Sequence, residues 1–144
     1  MLGKERICEQ IMRSLPQWFG IETAIVQYVK DIEQLPTFIA VEDNQTIGFL
    51  TIKIHNQFAA EIYVMGVLPQ FHRNAIGSSL INKAEKFLKQ DNVEYLQVKT
   101  LGESHPDKYY ALTRNFYLQM GFKPIEEFSQ IWEDTPCLLM VKGL

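Results

Sequence analysis

The sequence is poor in cysteine, with only Cys8 and Cys137 in 144 residues, far apart and without a metal-type spacing. Neither a disulfide framework nor a metal site is therefore expected. No run of 18 apolar residues occurs, so no membrane-spanning helix is predicted, and the charged start of the chain is unlike a signal peptide. These absences indicate a cytoplasmic protein with no membrane partner.

Positive charge is also in short supply. Fourteen basic and 17 acidic residues give a net charge of −3, and the pI is about 5.6. A general nucleic-acid binder needs a basic face, so that class is not expected. The P-loop pattern Gly-Lys-Ser/Thr and the dinucleotide pattern G-x-G-x-x-G are both missing, which removes two common nucleotide-binding classes.

What remains is an ordinary globular composition, 47% hydrophobic and 22% charged, without repeats or linker-like stretches. We therefore expect one domain over residues 1–144. Helical periodicity precedes Pro16 and Pro36, and strand-like patterns follow. The predicted strands cover 37–41, 46–54, 60–68, 93–100, 122–128 and 138–142; helices fill 76–90 and the segment before Gly121, and an acidic loop separates the last two strands.

This order predicts an α/β (α+β) fold with a mixed, mostly antiparallel sheet. The strands at 37–41, 46–54 and 60–68 form an antiparallel meander. The strand–helix–strand segment that follows implies a right-handed crossover and one parallel pair.

The most informative segment joins the strand ending at Leu68 to the following helix. A polar loop carries His72 and Arg73, and small residues (Ala75, Gly77, Ser78) stand at the helix start. Backbone N–H groups there have no intrahelical partner, and the helix dipole adds positive charge, so a pyrophosphate could bind. The alternative is a tight turn in which small residues only permit packing.

This segment resembles the central signature of the GCN5-related N-acetyltransferases (GNAT), Gln/Arg-x-x-Gly-x-Gly/Ala after a strand ending Val-x-Pro. Here Val67-Leu68-Pro69 is followed by His72-Arg73-Asn74-Ala75-Ile76-Gly77. The second family signature, a tyrosine four residues before Gly-Phe, is matched by Tyr117 and Gly121-Phe122. The sequence departs at His72, where the family most often has Gln or Arg, and at Ala75, which replaces the first glycine. Ala75 is expected to fit only if its φ is negative.

The resemblance implies the GNAT fold, with helices on both faces of the sheet. It also implies transfer of an acetyl group from acetyl-CoA, as co-substrate and without a metal, to a primary amine of a small molecule or peptide. The pantetheine would lie where the parallel strands diverge, and the pyrophosphate on the loop and helix start. The residues implied in binding acetyl-CoA are Met65, Val67, Leu68, His72, Arg73, Asn74, Ala75, Ile76, Gly77 and Ser78.

Two residues are candidates for proton transfer. Tyr117 would donate a proton to the departing thiolate, because a phenol is still protonated at neutral pH. The alternative is a packing tyrosine. Glu61 interrupts an apolar strand sixteen residues before Gly77, the offset of the base in histone-acetylating members of the family. Burial beside Ile62 and Val64 would favour the neutral carboxyl group, which helps a base. The alternative is a solvent-facing glutamate at a strand end. His55 is interpreted as a surface turn residue.

The acceptor site is expected at Trp18 and Phe19, between the first two helices, and at Trp132 in the segment 126–134, with His105 at its border. These aromatics could equally be core residues and the acids a solvated loop. Homodimers are common in this fold and are compatible with the sequence. Two other functions remain open: a non-catalytic acyl-CoA-binding or sensing domain, and a structural or interaction protein.

Overall fold

The computed structural model describes residues 2–72, 75–132 and 135–144. Within these ranges, four helices and six strands alternate in the predicted order. The helices are α1 (Glu5–Arg13), α2 (Glu22–Ile32), α3 (Ile76–Gln90) and α4 (Lys108–Gln119). The strands are β1 (Thr37–Glu42), β2 (Gln45–Ile54), β3 (Ala59–Val67), β4 (Tyr95–Leu101), β5 (Lys123–Trp132) and β6 (Thr135–Gly143). No helix in this part of the chain is long and apolar enough to cross a bilayer.

All strands belong to one sheet of order β1-β2-β3-β4-β6-β5. The pairs β1–β2, β2–β3, β4–β6 and β5–β6 are antiparallel, and β3–β4 is parallel. The predicted mixed sheet, its antiparallel meander and its parallel crossover pair are therefore confirmed. The β1–β2 turn is tight because Asp43 and Asn44 both adopt positive φ, 50° and 65°, as a type I′ hairpin requires.

Each face of the sheet packs against a different pair of helices. Leu80, Ile81, Ala84 and Leu88 of α3 join Tyr117 of α4 in one buried cluster with alternate residues of β2, β3 and β4. The other cluster joins α1 and α2 to Phe49 and Val64 on the opposite face. Burial of these two apolar layers is the main stabilising contribution to the fold, and it places helices on both faces, as expected.

The parallel pair separates halfway along β3. Its register runs only from Ala59–Tyr95 to Ile62–Val98, so residues 63–67 of β3 have no β4 partner. On the other side of β3, Ile62 pairs with Ile52 and Val64 with Thr51, which leaves Tyr63 as an extra residue. Such a bulge bends and twists its strand. The result is an opening between β3 and the end of β4.

One prediction about the last two strands is wrong. The segment expected to be an acidic loop is largely part of β5, which pairs with β6 from Lys123–Val141 to Trp132–Thr135 with two register shifts. Both strands are longer than predicted. For β5, the difference follows from its place at the edge of the sheet. Its residues are mostly exposed on both faces, so they show little of the apolar alternation that marks a half-buried strand.

Candidate active site

The start of α3 lies directly after β3 and the short Pro69–Phe71 turn. Ala75 precedes the helix, no side chain of the described residues caps its N-terminus, and no acidic residue stands in its first turn. The first intrahelical bond from the loop runs from Ser79 N–H to Ala75 O, 3.0 Å. The N–H groups of Ile76, Gly77 and Ser78 therefore have no partner within the helix, an arrangement suited to an anion.

The expectation for Ala75 is wrong, because its φ is +61°. This left-handed conformation is the one for which the family's glycine is suited, and an alanine adopts it at a cost of roughly 1–2 kcal/mol. The left-handed conformation therefore occurs here at a residue type that does not favour it.

Gly77 has a packing role in addition to the one expected. A Cβ built at this position would lie 3.0 Å from Cζ of Phe116 on α4 and 3.7 Å from Cε of Met65 on β3. The first distance is tighter than most Cβ contacts, so a side chain here would require the Phe116 ring to shift by a few tenths of an ångström. Glycine at position 77 lets the two helices approach beside the opening.

The free main-chain edge of β3 faces the opening. Leu68 N–H donates to Ile47 O on β2, 2.8 Å, so the peptide groups of Val67, and by alternation Met65, point the other way. His72 donates through Nε2 to Val67 O, 2.8 Å, which leaves only Nδ1 of this ring for an anion. The phosphate contact predicted for His72 would therefore have to use Nδ1 alone. Arg73 and Asn74 lie outside the described residues.

Tyr117 reaches the same region from α4. It is 6% exposed and packs against the rings of Phe116 and Phe122. Burial, with a smaller effect from Tyr110, raises the pKa of Tyr117 above its ordinary value, so the phenol stays protonated at any pH near neutrality. The side chain is part of the core and also has the protonation state that an acid needs.

Glu61 lies on the opposite face of the sheet and is 6% exposed. Its Oε1 is 2.7 Å from His55 Nε2, 3.5 Å from Gln97 Nε2 and 3.6 Å from Lys99 Nζ. The prediction of a solvent-facing glutamate is therefore wrong, and the predicted burial is correct. The carboxylate has hydrogen-bond donors for its charge, which makes the buried position tolerable.

The sequence predicts a surface turn residue at position 55, but it does not reveal the contact between His55 and Glu61. The register of the β2–β3 hairpin would reveal this contact. His55 N–H donates to Ala59 O across the β2–β3 turn, so a side chain at position 55 can reach position 61 on the next strand. The predicted turn is present. The contact does not follow from the sequence, because a six-residue separation indicates a contact only when the register of the two strands is known.

Aromatic side chains extend this face of the site. Trp18 donates through Nε1 to Thr113 Oγ1, 2.9 Å, and meets the rings of His72 and Tyr109 edge-on. Phe19 and Tyr63 both contact the ring of Tyr28. Burial raises the pKa of Tyr28, and the nearby Glu61 charge raises it further. Trp18 thus lies next to His72 and α4, and Phe19 next to Tyr28; the acceptor role of both stays a prediction.

The other two acceptor candidates are placed differently. Trp132 pairs with Thr135 at the tip of the β5–β6 hairpin, and no ring contact within the described ranges joins it to Trp18. His105 lies in the loop after β4, where its N–H donates to Gly102 O and its buried Nδ1 has no hydrogen-bond partner in the described ranges. Among the residues described, no group of three His, Cys, Asp or Glu side chains is arranged to hold a metal ion.

Comparison with known proteins agrees with this geometry. Residues 5–122 match the model of the Acetyltransferase (GNAT) family. An uncharacterised N-acetyltransferase of Chlorobaculum tepidum is 32% identical over 117 residues, which cover 78% of this chain and 65% of that protein. The chain therefore spans less than two thirds of the length of this relative.

Two solved structures share the fold. The paiA N-acetyltransferase of Thermoplasma acidophilum, in complex with coenzyme A, is 17% identical with a TM-score of 0.74, covering 98% of this chain and 93% of that one. The ribosomal-protein-S18-alanine N-acetyltransferase of Escherichia coli is 12% identical with a TM-score of 0.77, covering 96% and 86%. The family match, the sheet order and the strand opening lead to one conclusion: this chain belongs to the GNAT acetyltransferase family.

Proposed function

We propose that this protein is an acetyl-CoA-dependent N-acetyltransferase. The observation that carries the proposal is the opening between β3 and β4, which lies next to the uncapped start of α3. Tyr117 approaches this region from the α3–α4 face and Glu61 from the α1–α2 face. The leaving group and the attacking amine each need a proton-transfer group.

The residues present fit a CoA molecule. Three N–H groups that have no partner within the helix, and the absence of acids in the first turn of α3, suit its pyrophosphate. The edge of β3 that faces the opening suits its pantetheine amides, which would pair like an added strand at the peptide groups of Met65 and at the N–H of Val67, whose oxygen is bonded to His72. Bound there, acetyl-CoA would supply an acetyl group activated as a thioester.

Glu61 accepts a proton from the acceptor amine, directly or through water, because an ammonium group is not a nucleophile. Tyr117 donates its phenolic proton to the departing sulfur. The bulge at Tyr63 keeps the strands apart, so both groups act on one opening. The acceptor is a primary amine of a small molecule or peptide that lies against the aromatic side chains of Trp18, Phe19 and Tyr28.

The names of structural neighbours illustrate this range of acceptors. One is an alanine N-acetyltransferase of a ribosomal protein, and another is an aminoglycoside 6'-N-acetyltransferase of Enterococcus faecium. Both acceptor types carry an amine, and the neighbours share the fold at 12% and 18% identity. The acceptor of this chain is therefore to be found by experiment with both classes.

The test is a turnover screen with acetyl-CoA and a panel of small amines and peptides, with release of free thiol as the readout. Tyr117→Phe is expected to lower kcat by roughly 100-fold or more, the usual contribution of general acid catalysis, with little change in the KM for acetyl-CoA. Tyr95→Phe, at an exposed tyrosine of β4, is the control and should match the parent.

Equal turnover of Tyr117→Phe would remove this residue from the acid role. Stabilisation by CoA without thiol release on any acceptor would favour the sensing alternative. A thermal midpoint unchanged by CoA would contradict both functions, because a ligand at 100 times its Kd adds about 2.7 kcal/mol of stability.

A further inference from the structure

The two oxygens of Glu61 have different surroundings. His55 Nε2, Gln97 Nε2 and Lys99 Nζ all approach Oε1. Only the His55 distance, 2.7 Å, is that of a good hydrogen bond; the others, 3.5 and 3.6 Å, are at or beyond the usual limit. In the described part of the chain, no hydrogen bond reaches Oε2. Oε1 is thus held by the protein, and Oε2 remains for another molecule.

His55 itself is held in place by its turn. Its backbone N–H donates to Ala59 O, 3.0 Å. Asn56 Oδ1 accepts from the N–H groups of Phe58 and Ala59, at 2.8 and 3.0 Å. The His55 side chain is 31% exposed, and that of Glu61 only 8%. A well-fixed, partly exposed imidazole therefore anchors an almost fully buried carboxylate.

We propose that His55 is a positioning residue for Glu61. It donates from Nε2 to Oε1 and so fixes the carboxylate with Oε2 free for the acceptor amine. The inference rests on the proposed function, in which Glu61 is the base. It assigns no proton transfer to His55: the imidazole keeps its Nε2 proton throughout, and its Nδ1 is the unprotonated nitrogen.

Other charged or titratable groups face Glu61 and bear on any pH dependence. Lys53 is its register partner on β2, and Lys99 stands on β4. Tyr28 of α2 and Tyr63 of β3 are close enough for the Glu61 charge to raise their pKa values. Lys99 favours an ionised Glu61 but is too far away to orient it, so orientation depends on His55.

The kinetic test compares His55→Ala with His55→Gln and with Gln57→Ala. His55→Ala removes the donor and is expected to lower kcat/KM for the acceptor by roughly 10- to 100-fold, the usual cost of a small misplacement. The KM for acetyl-CoA should be unchanged.

His55→Gln places a neutral amide donor at nearly the same reach and should restore the rate to within about threefold of the parent. Gln57→Ala changes an exposed residue of the same turn and should leave the rate as it is. Equal losses in His55→Ala and His55→Gln, with thermal midpoints like the parent, would overturn the positioning role.

A second readout needs no turnover. Two-dimensional ¹H–¹⁵N NMR of the histidine rings distinguishes Nε2–H from Nδ1–H imidazole. Neutral His55 should be the Nε2–H form in the parent and a mixture of both forms in Glu61→Ala. An Nδ1–H form in the parent would overturn the inference even if the protein were an active enzyme. The Nε2–H form in a protein without turnover would contradict the proposed function alone.

Discussion

The starts of helices α3 and α4 differ in how they use their backbone N–H groups. At α4, Asp107 has an extended φ of −115°, and its Oδ1 accepts from Tyr109 N–H and Tyr110 N–H at 2.9 and 3.2 Å. At α3, Ala75 has a left-handed φ of 61° and no side chain serves as a cap. Both helices pack on the same face of the sheet, so the difference is local.

This difference separates a structural helix start from one that is available to a ligand. Asp107 uses the free donors of α4 within the protein, which stabilises the helix that carries Tyr117. The first turn of α3 keeps its donors and lacks the acid that would compete with an anion. An uncapped start reduces stability by an amount that a bound pyrophosphate can offset. Three substitutions test this interpretation.

The largest effect is expected from Ser78→Asp, in the first turn of α3. An aspartate there suits the helix dipole and should leave stability unchanged or raise it by a few tenths of a kcal/mol. It also repels phosphate and occupies the free N–H groups. The stabilisation by CoA, about 2.7 kcal/mol at 100 times Kd, should therefore be lost. Thermal denaturation with and without CoA measures both changes.

Ser78→Ala is the matched control and should retain the stabilisation. Unaltered CoA affinity in Ser78→Asp would place the pyrophosphate elsewhere. Gly77→Glu is a weaker test. The new Cβ would lie only 3.0 Å from Phe116, so a loss of binding could follow from misfolding.

An intermediate effect is expected from Asp107→Ala. Removing the cap of α4 should lower the free energy of unfolding by about 1 kcal/mol, as measured by urea denaturation. CoA affinity should stay within twofold of the parent, since the Asp107 carboxylate bonds to N–H groups of its own helix. Asp107→Asn keeps an acceptor oxygen and should recover most of the stability. A large loss of CoA affinity in Asp107→Ala would contradict the assignment of a purely structural start.

The smallest effect is expected from Ala75→Gly. Glycine relieves the left-handed strain, roughly 1–2 kcal/mol, but gives the unfolded chain more freedom, which costs roughly 0.4–1 kcal/mol. We expect a net gain of about 0.5 kcal/mol in unfolding free energy, with unchanged CoA affinity. A loss of stability would show that the φ at this position is negative in solution.

Strong periodic signals made most of the fold predictable. The meander and the crossover pair follow from apolar runs and from the order of elements, which have few alternatives. The exposed edge strand β5 was only partly recognised, because a strand that is buried on neither face carries no clear alternation. Its register with β6 is set by the hairpin, not by a pattern in its own residues.

The candidate site was predictable where it depends on local sequence. Gly77 and Tyr117 are singled out by short spacings; Gly77 lies beside Phe116 and Met65 at the start of α3, and Tyr117 is buried in the cluster on the same face of the sheet. The φ of Ala75 was not predictable, because it is imposed by the surrounding loop and not by the residue. The His55–Glu61 contact depends on the register of two strands, which a motif does not contain.

The bulge at Tyr63 has a consequence for divergence within the family. The opening is produced by the number of backbone residues between two pairs, Ile52–Ile62 and Thr51–Val64, rather than by any one side chain. Point substitutions alter side chains without changing that number; only an insertion or deletion does. The strand geometry at this point is therefore insensitive to single substitutions, and the fold as a whole is shared with structures of 17% and 12% identity at TM-scores of 0.74 and 0.77.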